Sequence, residues 1–190
     1  MRKIIAAVNT TVEGVLDHTA GLPDEELHLH YTNLLNSAGL ILYGRKTYEL
    51  MQYWQTLLQH PSGIKEQDDF AKAIDRIPKI VFSRHLKQTH WDTAELASQP
   101  PENLVTDLKQ EPGGDILIGS PGLIIRLLKL QVIDELQLCV HPVVAGKGRL
   151  LFEELKDRTV FKLLKTKQLT SGALILYYKP LSRNHGTAVG

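Results

Sequence analysis

The sequence predicts one α/β domain built on a largely parallel sheet, and three observations carry that prediction. Short, nearly continuous apolar runs ("KIIAAV", "LILYG", "KIVFS", "DILIG") recur along the chain, as strands buried on both faces do. Segments with apolar residues at helical spacing separate them. The C-terminal part instead shows alternating patterns around a "TSG" turn, so the sheet should close with antiparallel strands. Repeated strand–helix alternation requires crossover connections and hence helices on both sheet faces.

The elements follow in order. "KIIAAV" is the first strand, and "NTTVEGVLDHTAGLP" reads as a loop. From Asp24, the residues Leu27, Tyr31, Leu34, Leu35 and Ala38 recur at helical spacing, with acids in the first turn and Gly39 near the stop. "LILYG" is a strand, and a helix begins near Thr47 in "RKTYELMQYW". "HPSGIKEQ" reads as a loop. Phe70, Ile74 and Ile77 mark a short helix ended by Pro78, before the strand "KIVFS". "PPENLVTDLKQEPGG" is a helix opened by proline and closed by Pro-Gly, leading to "DILIG". In "SPGLIIRLLKLQ", Ser120 suits an N-cap and Pro121 the first helical position, with Leu123, Ile124, Leu127 and Leu128 as the buried face. "DELQLCVHPVV" places Leu136, Leu138 and Val140 on one strand face. "TVFKLLKTKQL" and "ALILYYKP" form the closing hairpin. The domain should span residues 1–180, followed by a loose tail over 181–190.

Composition narrows the function classes. The chain has 190 residues, 43% hydrophobic and 23% charged, with a formal net charge of +1. Those values belong to a globular domain, and the absence of a long basic block gives nucleic acid or a membrane surface no electrostatic hold. Cys139 is the lone cysteine and lies in an apolar run, as a buried thiol in a reducing compartment would. "MRKIIAAVN" is too short an apolar run for a signal peptide. No stretch reaches the roughly 20 apolar residues of a membrane span. A cytoplasmic protein is expected. The histidines are scattered, and no metal site is predicted.

In open parallel sheets, ligands bind beyond the carboxyl ends of strands, where loops meet helix N-termini. Three such ends carry suggestive residues. "LILYGRKT" places Gly44, Arg45, Lys46 and Thr47 between a strand and a helix start, two cations beside unpaired N–H groups. "KIVFSRHL" puts Ser83 and Arg84 after a strand, a hydroxyl and a planar cation suited to a phosphate. "DILIGSPG" sets Gly119 and Gly122 around another helix N-terminus. Each turn alone is ordinary punctuation, and together they describe a cradle for a dinucleotide with an extra phosphate. No G-x-G-x-x-G follows the first strand, so a standard Rossmann site is not expected.

Beyond this point the sequence resembles a known family. "AAVNTTVEG", "LILYGRKTYE", "IPKIVFSRHL" and "DILIGSPGLIIRLLKLQVIDELQLCVHPVVAGKGRLLF" are similar to successive blocks of the dihydrofolate reductase-like fold. Within it they look closest to the C-terminal reductase domain of the riboflavin-biosynthesis deaminase-reductase. The resemblance implies a three-layer domain, a mostly parallel sheet with antiparallel C-terminal strands and helices on both faces. It implies NADPH as cofactor. Arg45, Lys46 and Thr47 would meet its phosphates, Ser83 and Arg84 its 2′-phosphate. Gly119, Ser120, Gly122 and Leu123 would lie against the diphosphate and nicotinamide side, and Ala7 beside the nicotinamide. "AGKG" is expected to be a structural turn only. Many relatives pair, so a homodimer is implied as well.

The substrate side departs from the family's pattern. Relatives of the riboflavin type show Ser-Leu-Asp-Gly after the first strand, where this chain has "TVEG", with Glu13 in the acidic place. Folate reductases carry a proton-donating carboxylate on the first helix, and the matching position here falls near His28. The expectation is hydride transfer to a small heterocyclic C=N or C=O substrate. Asn9 would bind it, and Glu13, Asp17 and His28 are the candidates for proton delivery; a histidine can titrate near neutral pH. The alternative is a non-catalytic ligand-binding module that keeps the fold.

Overall fold

A computed structural model of the chain describes residues 1–181. Its centre is an eight-stranded sheet of order β4-β3-β2-β5-β1-β6-β8-β7. The strands are β1 (Ile4–Thr11), β2 (Ala38–Gly44), β3 (Lys79–Phe82), β4 (Ala94–Leu96), β5 (Asp115–Ile118), β6 (Glu135–His141), β7 (Phe161–Gln168) and β8 (Leu174–Pro180). All pairs from β4 to β6 are parallel, and β8 runs against both of its neighbours. Helices α1 (Glu25–Ser37), α2 (Arg45–Met51), α3 (Tyr53–Gln59) and α4 (Lys65–Arg76) serve one face. Helices α5 (Pro101–Gln110) and α6 (Pro121–Lys129) serve the other. This is the three-layer dihydrofolate reductase-like architecture that the resemblance implied.

The apolar runs are what buried parallel strands require. Ile4, Ala6, Leu42, Ile116, Ile118, Ile124 and Leu127 are all fully buried in the core between β5, β1, β2 and α6. Truncating one of these isoleucines or leucines to alanine costs about 2–5 kcal/mol. At the entry to this core Asp134 accepts from the Ile4 N–H at 2.8 Å and pairs with Lys109 at 2.6 Å, so the "IDEL" acid pins a strand start.

Several local expectations need correction. The first strand runs on through Thr11, because its pairing with β6 continues to Thr11↔His141. Helix α1 ends at Ser37, near Gly39 as expected, and Gly39 itself lies inside β2. Its role is close packing: a Cβ on Gly39 would sit 2.9 Å from the Gly114 nitrogen. The "RKTYELMQYW" helix starts at Arg45 and breaks at Gln52 into two. Lys65, Glu66 and Gln67, read as loop, open α4. The three-residue edge strand β4 is too short to leave a periodic pattern. On β6, Leu136, Leu138 and Val140 share one face as expected, and the other face buries Gln137, Cys139 and His141, which α1 helps to cover.

The proposed tail lies, from residue 182 on, outside the described residues; Leu181 donates its N–H to the Val160 carbonyl at 2.9 Å. Among the described residues no helix is long and apolar enough to cross a membrane.

Candidate active-site cleft

A cleft of about 1620 Å³ opens over the carboxyl ends of β1, β2, β3 and β5 and extends along α1. Ala7, Asn9, Asp17 and His28 line it, as do Gly44 through Thr47, Ser83, Arg84, Gly119, Ser120, Gly122 and Leu123. The structure therefore brings the expected residues together with one exception. Glu13 is not in the lining: its carboxylate accepts from the Gly146 N–H at 2.8 Å and serves the "AGKG" turn. That turn is built for packing. Gly146 and Gly148 have φ of +74° and +132°, and a Cβ on Gly148 would come within 2.5 Å of the Val15 side chain. Glu13 thus stands as a turn anchor, away from the position of a proton donor.

The wall at the strand ends is made of backbone and cations. Ser120 does not cap α6 with its side chain; its Oγ accepts instead from the Gly44 N–H at 2.8 Å, binding the end of β2 to the start of α6. The first N–H groups of α6 are left without a side-chain partner, and a helix N-terminus in that condition favours an anion. Gly122, in the first turn, has no atom within 4 Å of where a Cβ would stand, so the chain itself leaves that space open. Gly119 would meet only Tyr43, at 3.7 Å. Arg45 is engaged, its Nη1 on both carboxylate oxygens of Glu49 at 2.9 and 3.0 Å. Lys46 and Arg84 are exposed and form no ion pair among the described residues. The Ser83 Oγ accepts from His85 and Leu86 N–H groups at 3.1 and 3.0 Å, which shapes the turn presenting Arg84.

The opposite wall is made of side chains. Helix α1 is held by its N-terminus: Asp24 accepts from Leu27 as its cap and from the Ser171 N–H, each at 2.8 Å. Burial opposes ionisation of Asp24, yet these N–H bonds outweigh it and hold its pKa below the usual value. Glu26 adds bonds to Thr170, so the β7–β8 turn anchors the helix that faces the cleft. His28 presents its ring edge-on to Trp54 (5.9 Å) and Phe70 (6.3 Å), which themselves lie 4.5 Å apart. Its Nδ1 lies 3.0 Å from the Asp24 carbonyl, an acceptor only, so Nδ1 carries a proton and Nε2 is the open atom. Asp17 is kept ionised by the hydroxyl and N–H of Thr19, which lower its pKa.

Asn9 is the exposed residue of an otherwise buried strand, and Tyr31 donates to its Oδ1 at 2.8 Å. The Asn9 amide therefore keeps its N–H donors free for a ligand. Tyr31 and the aromatic wall escaped sequence reading because their spacing is that of ordinary helix core. So did His141, a buried residue of β6 that also lines the cleft. Its Nδ1 accepts from Leu22 at 3.2 Å, which ties the 16–23 segment to the sheet, and burial lowers its pKa.

Comparison with known proteins places the chain in a family and its fold among solved structures. The family model described as the RibD C-terminal domain matches residues 2–175. The Bacillus subtilis protein YyaP, whose name states no function, is 32% identical over 181 residues, covering 93% of this chain and 94% of its own. A second protein of that organism, YwjB, likewise uncharacterized, is 26% identical over 150 residues, covering 78% of each chain. Among solved structures, a pyrimidine reductase-like protein of Corynebacterium diphtheriae superposes with TM-score 0.65 at 15% identity, covering 96% of this chain and 93% of that one. A Thermotoga maritima diaminohydroxyphosphoribosylaminopyrimidine deaminase/5-amino-6-(5-phosphoribosylamino)uracil reductase gives TM-score 0.63 at 14% identity. It is covered over 57% of its length, against 95% of this chain.

Proposed function

Since the chain belongs to the RibD C-terminal domain family, we propose that it is an NADPH-dependent reductase acting on a small C=N or C=O substrate. The observation that carries the reading is the α6 N-terminus: uncapped, with open space at Gly122, and facing the same cleft as Lys46 and Arg84. These residues fit a dinucleotide. Lys46 and the α6 N–H groups would take the diphosphate charge, Arg84 the 2′-phosphate, and Ala7 would border the nicotinamide. NADPH supplies the hydride when bound. The chain's own part is to orient the substrate by the Asn9 amide and the Tyr31–Asn9 pair. His28 Nε2 would hold the proton that the substrate receives, with Asp17 as a fixed anion in the same cleft.

The test is calorimetric titration with NADPH and, separately, NADH. At least a tenfold preference for NADPH, about 1.4 kcal/mol, is expected; equal affinities would remove the 2′-phosphate assignment. A second reading, a binding module without turnover, draws on the engagement of Glu13 by the 146 turn. It would be recognised by NADPH binding with no oxidation across pterins, pyrimidines and carbonyls.

A homodimer is part of the same proposal. On the α6 side of the sheet, β6, β8 and β7 present Leu138, Val140, Leu163, Leu174 and Leu176, and Leu163 and Leu174 are exposed. The hairpin lysines Lys162, Lys165, Lys167 and Lys179 all fall on the opposite face by register. An uncharged face of this kind is its own complement about a two-fold axis, while edge lysines resist strand-to-strand addition. Light scattering should give twice the chain mass, and Leu163→Glu should return the monomer.

A further inference from the structure

We infer that His141 is a positioning residue for the substrate end of the cleft: its neutral imidazole latches the segment between β1 and α1 in place, and protonation of the ring undoes the latch. What the segment does in the cleft rests on the reductase reading; the latch itself does not.

The segment is 16–23, of which Leu16, Asp17, His18, Gly21 and Pro23 line the cleft. Its start is tied down by the Leu16 N–H on the Arg149 carbonyl at 2.8 Å. From Asp17 to Ala20 the described hydrogen bonds close on the segment itself, Thr19 and Ala20 both turning back to Asp17. The bond that returns the chain to the sheet is the Leu22 N–H on His141 Nδ1, at 3.2 Å and across 119 residues. Gly21 lies against the same ring: a Cβ there would stand 3.4, 3.6 and 3.7 Å from Nε2, Cε1 and Cδ2, which leaves no room for a larger side chain. Asp17 and His18 are therefore carried on a short span pinned at two points, and one of the pins can titrate.

A ring nitrogen that accepts has no proton, so the Leu22 bond fixes the tautomer, with Nδ1 bare and Nε2 protonated. Nε2 stands 3.8 Å from Cys139 Sγ, a weak acceptor that keeps its own proton because burial pushes the thiol up to about 12. A second proton can go only to Nδ1. It turns the acceptor into a donor facing a donor and puts a charge on a side chain that is 2% exposed. The surroundings offer that charge little. The paired position on β1 is the uncharged Thr11, and β6 itself supplies the thiol. From α1, buried Tyr31 keeps its proton, while the Asp24 anion favours the imidazolium. The segment brings His18 and Asp17, the latter held ionised by Thr19. Burial outweighs Asp24 and sets the His141 pKa below its usual 6.5. A histidine depressed in the fold contributes fully above its unfolded pKa and loses that contribution as pH falls below it. The latch is thus made at neutral pH and released in acid.

The test is hydrogen exchange at the Leu22 amide, compared at equal pH between wild type, His141→Asn and His141→Leu. The asparagine Oδ1 takes the place of Nδ1 and accepts without titrating; leucine cannot accept. At about pH 7.5 wild type and His141→Asn should protect Leu22 alike. His141→Leu should exchange about tenfold faster, the loss of one net hydrogen bond, with the amides of β1 and β6 unchanged. At about pH 5 wild type should exchange several-fold faster than His141→Asn. A ratio of wild type to His141→Asn that does not move with pH overturns the inference, and so does His141→Asn exchanging like His141→Leu at the higher pH. If His141→Leu does not fold, the other two proteins still decide. NADPH binding is followed separately by calorimetry: its absence removes the reductase reading, and the exchange ratios judge the latch regardless.

Discussion

The two walls of the cleft are made by different means. At the strand ends the ligand-facing surface is backbone: Gly119, Gly122 and the first turn of α6, with Lys46 and Arg84 alongside. Across from it the surface is side chain, contributed by three helices whose mutual packing creates the recess. A backbone wall is conserved in shape whatever the neighbouring residues are, so it suits a common cofactor. A side-chain wall is rewritten by single substitutions, so its shape is set residue by residue.

The sharpest way to break this contrast is to fill the open space at Gly122. Gly122→Val should weaken NADPH binding about 100-fold, close to 2.7 kcal/mol, with little change in melting temperature. Gly148→Ala is its mirror, because that position combines positive φ with a Cβ 2.5 Å from Val15. It should lower stability by about 1–3 kcal/mol in denaturant unfolding and leave cofactor affinity alone. If both variants lost cofactor equally, the distinction between ligand glycine and turn glycine would be lost. Next in size, Arg84→Ala should cost about 1.5–3 kcal/mol in NADPH affinity and almost nothing for NADH, by calorimetry.

A further effect, seen only as pH falls, concerns the far side of α1. Burial lowers the pKa of His30 to about 4, helped by the Lys167 charge and opposed by a bond to Gln137. A group depressed in the folded state contributes stability above its unfolded pKa of roughly 6.5, lost as pH falls toward 4. The loss is on the order of 2 kcal/mol at a full ~1.4 kcal/mol per unit less screening. Carboxylates also titrate in this window, so the readout is the difference between wild type and His30→Gln, whose profile should be flatter between pH 6.5 and 4. A parallel pair of profiles would show that His30 is solvated in the fold.

How far sequence reaches follows the same division. Strand ends were legible because a buried apolar run with an abrupt stop is a local signal: glycine before a helix start in "LILYGRKT" and "DILIGSPG", and Ser83 with Arg84 in "KIVFSRHL". Ser120 was placed at the right helix start with the wrong partner, since its bond crosses to Gly44, 76 residues away. Glu13 was misjudged for the same reason: the Gly146 N–H that takes its carboxylate lies 133 residues on. Tyr31 and Phe70 marked helices, and neither they nor His141 carried a sign of the cleft. At helical or strand spacing a residue that faces a cleft and one that faces the core look alike until the helices are docked.

The bond from Gly44 to Ser120 has a consequence for anyone wishing to change the cofactor. It rivets the turn after β2 to the turn after β5, so the mouth between them has a fixed gauge instead of a hinge. A ligand that spans both turns must match that gauge. Grafting one turn from a relative should fail where exchanging both together, serine included, succeeds, because the bond makes the two a single part.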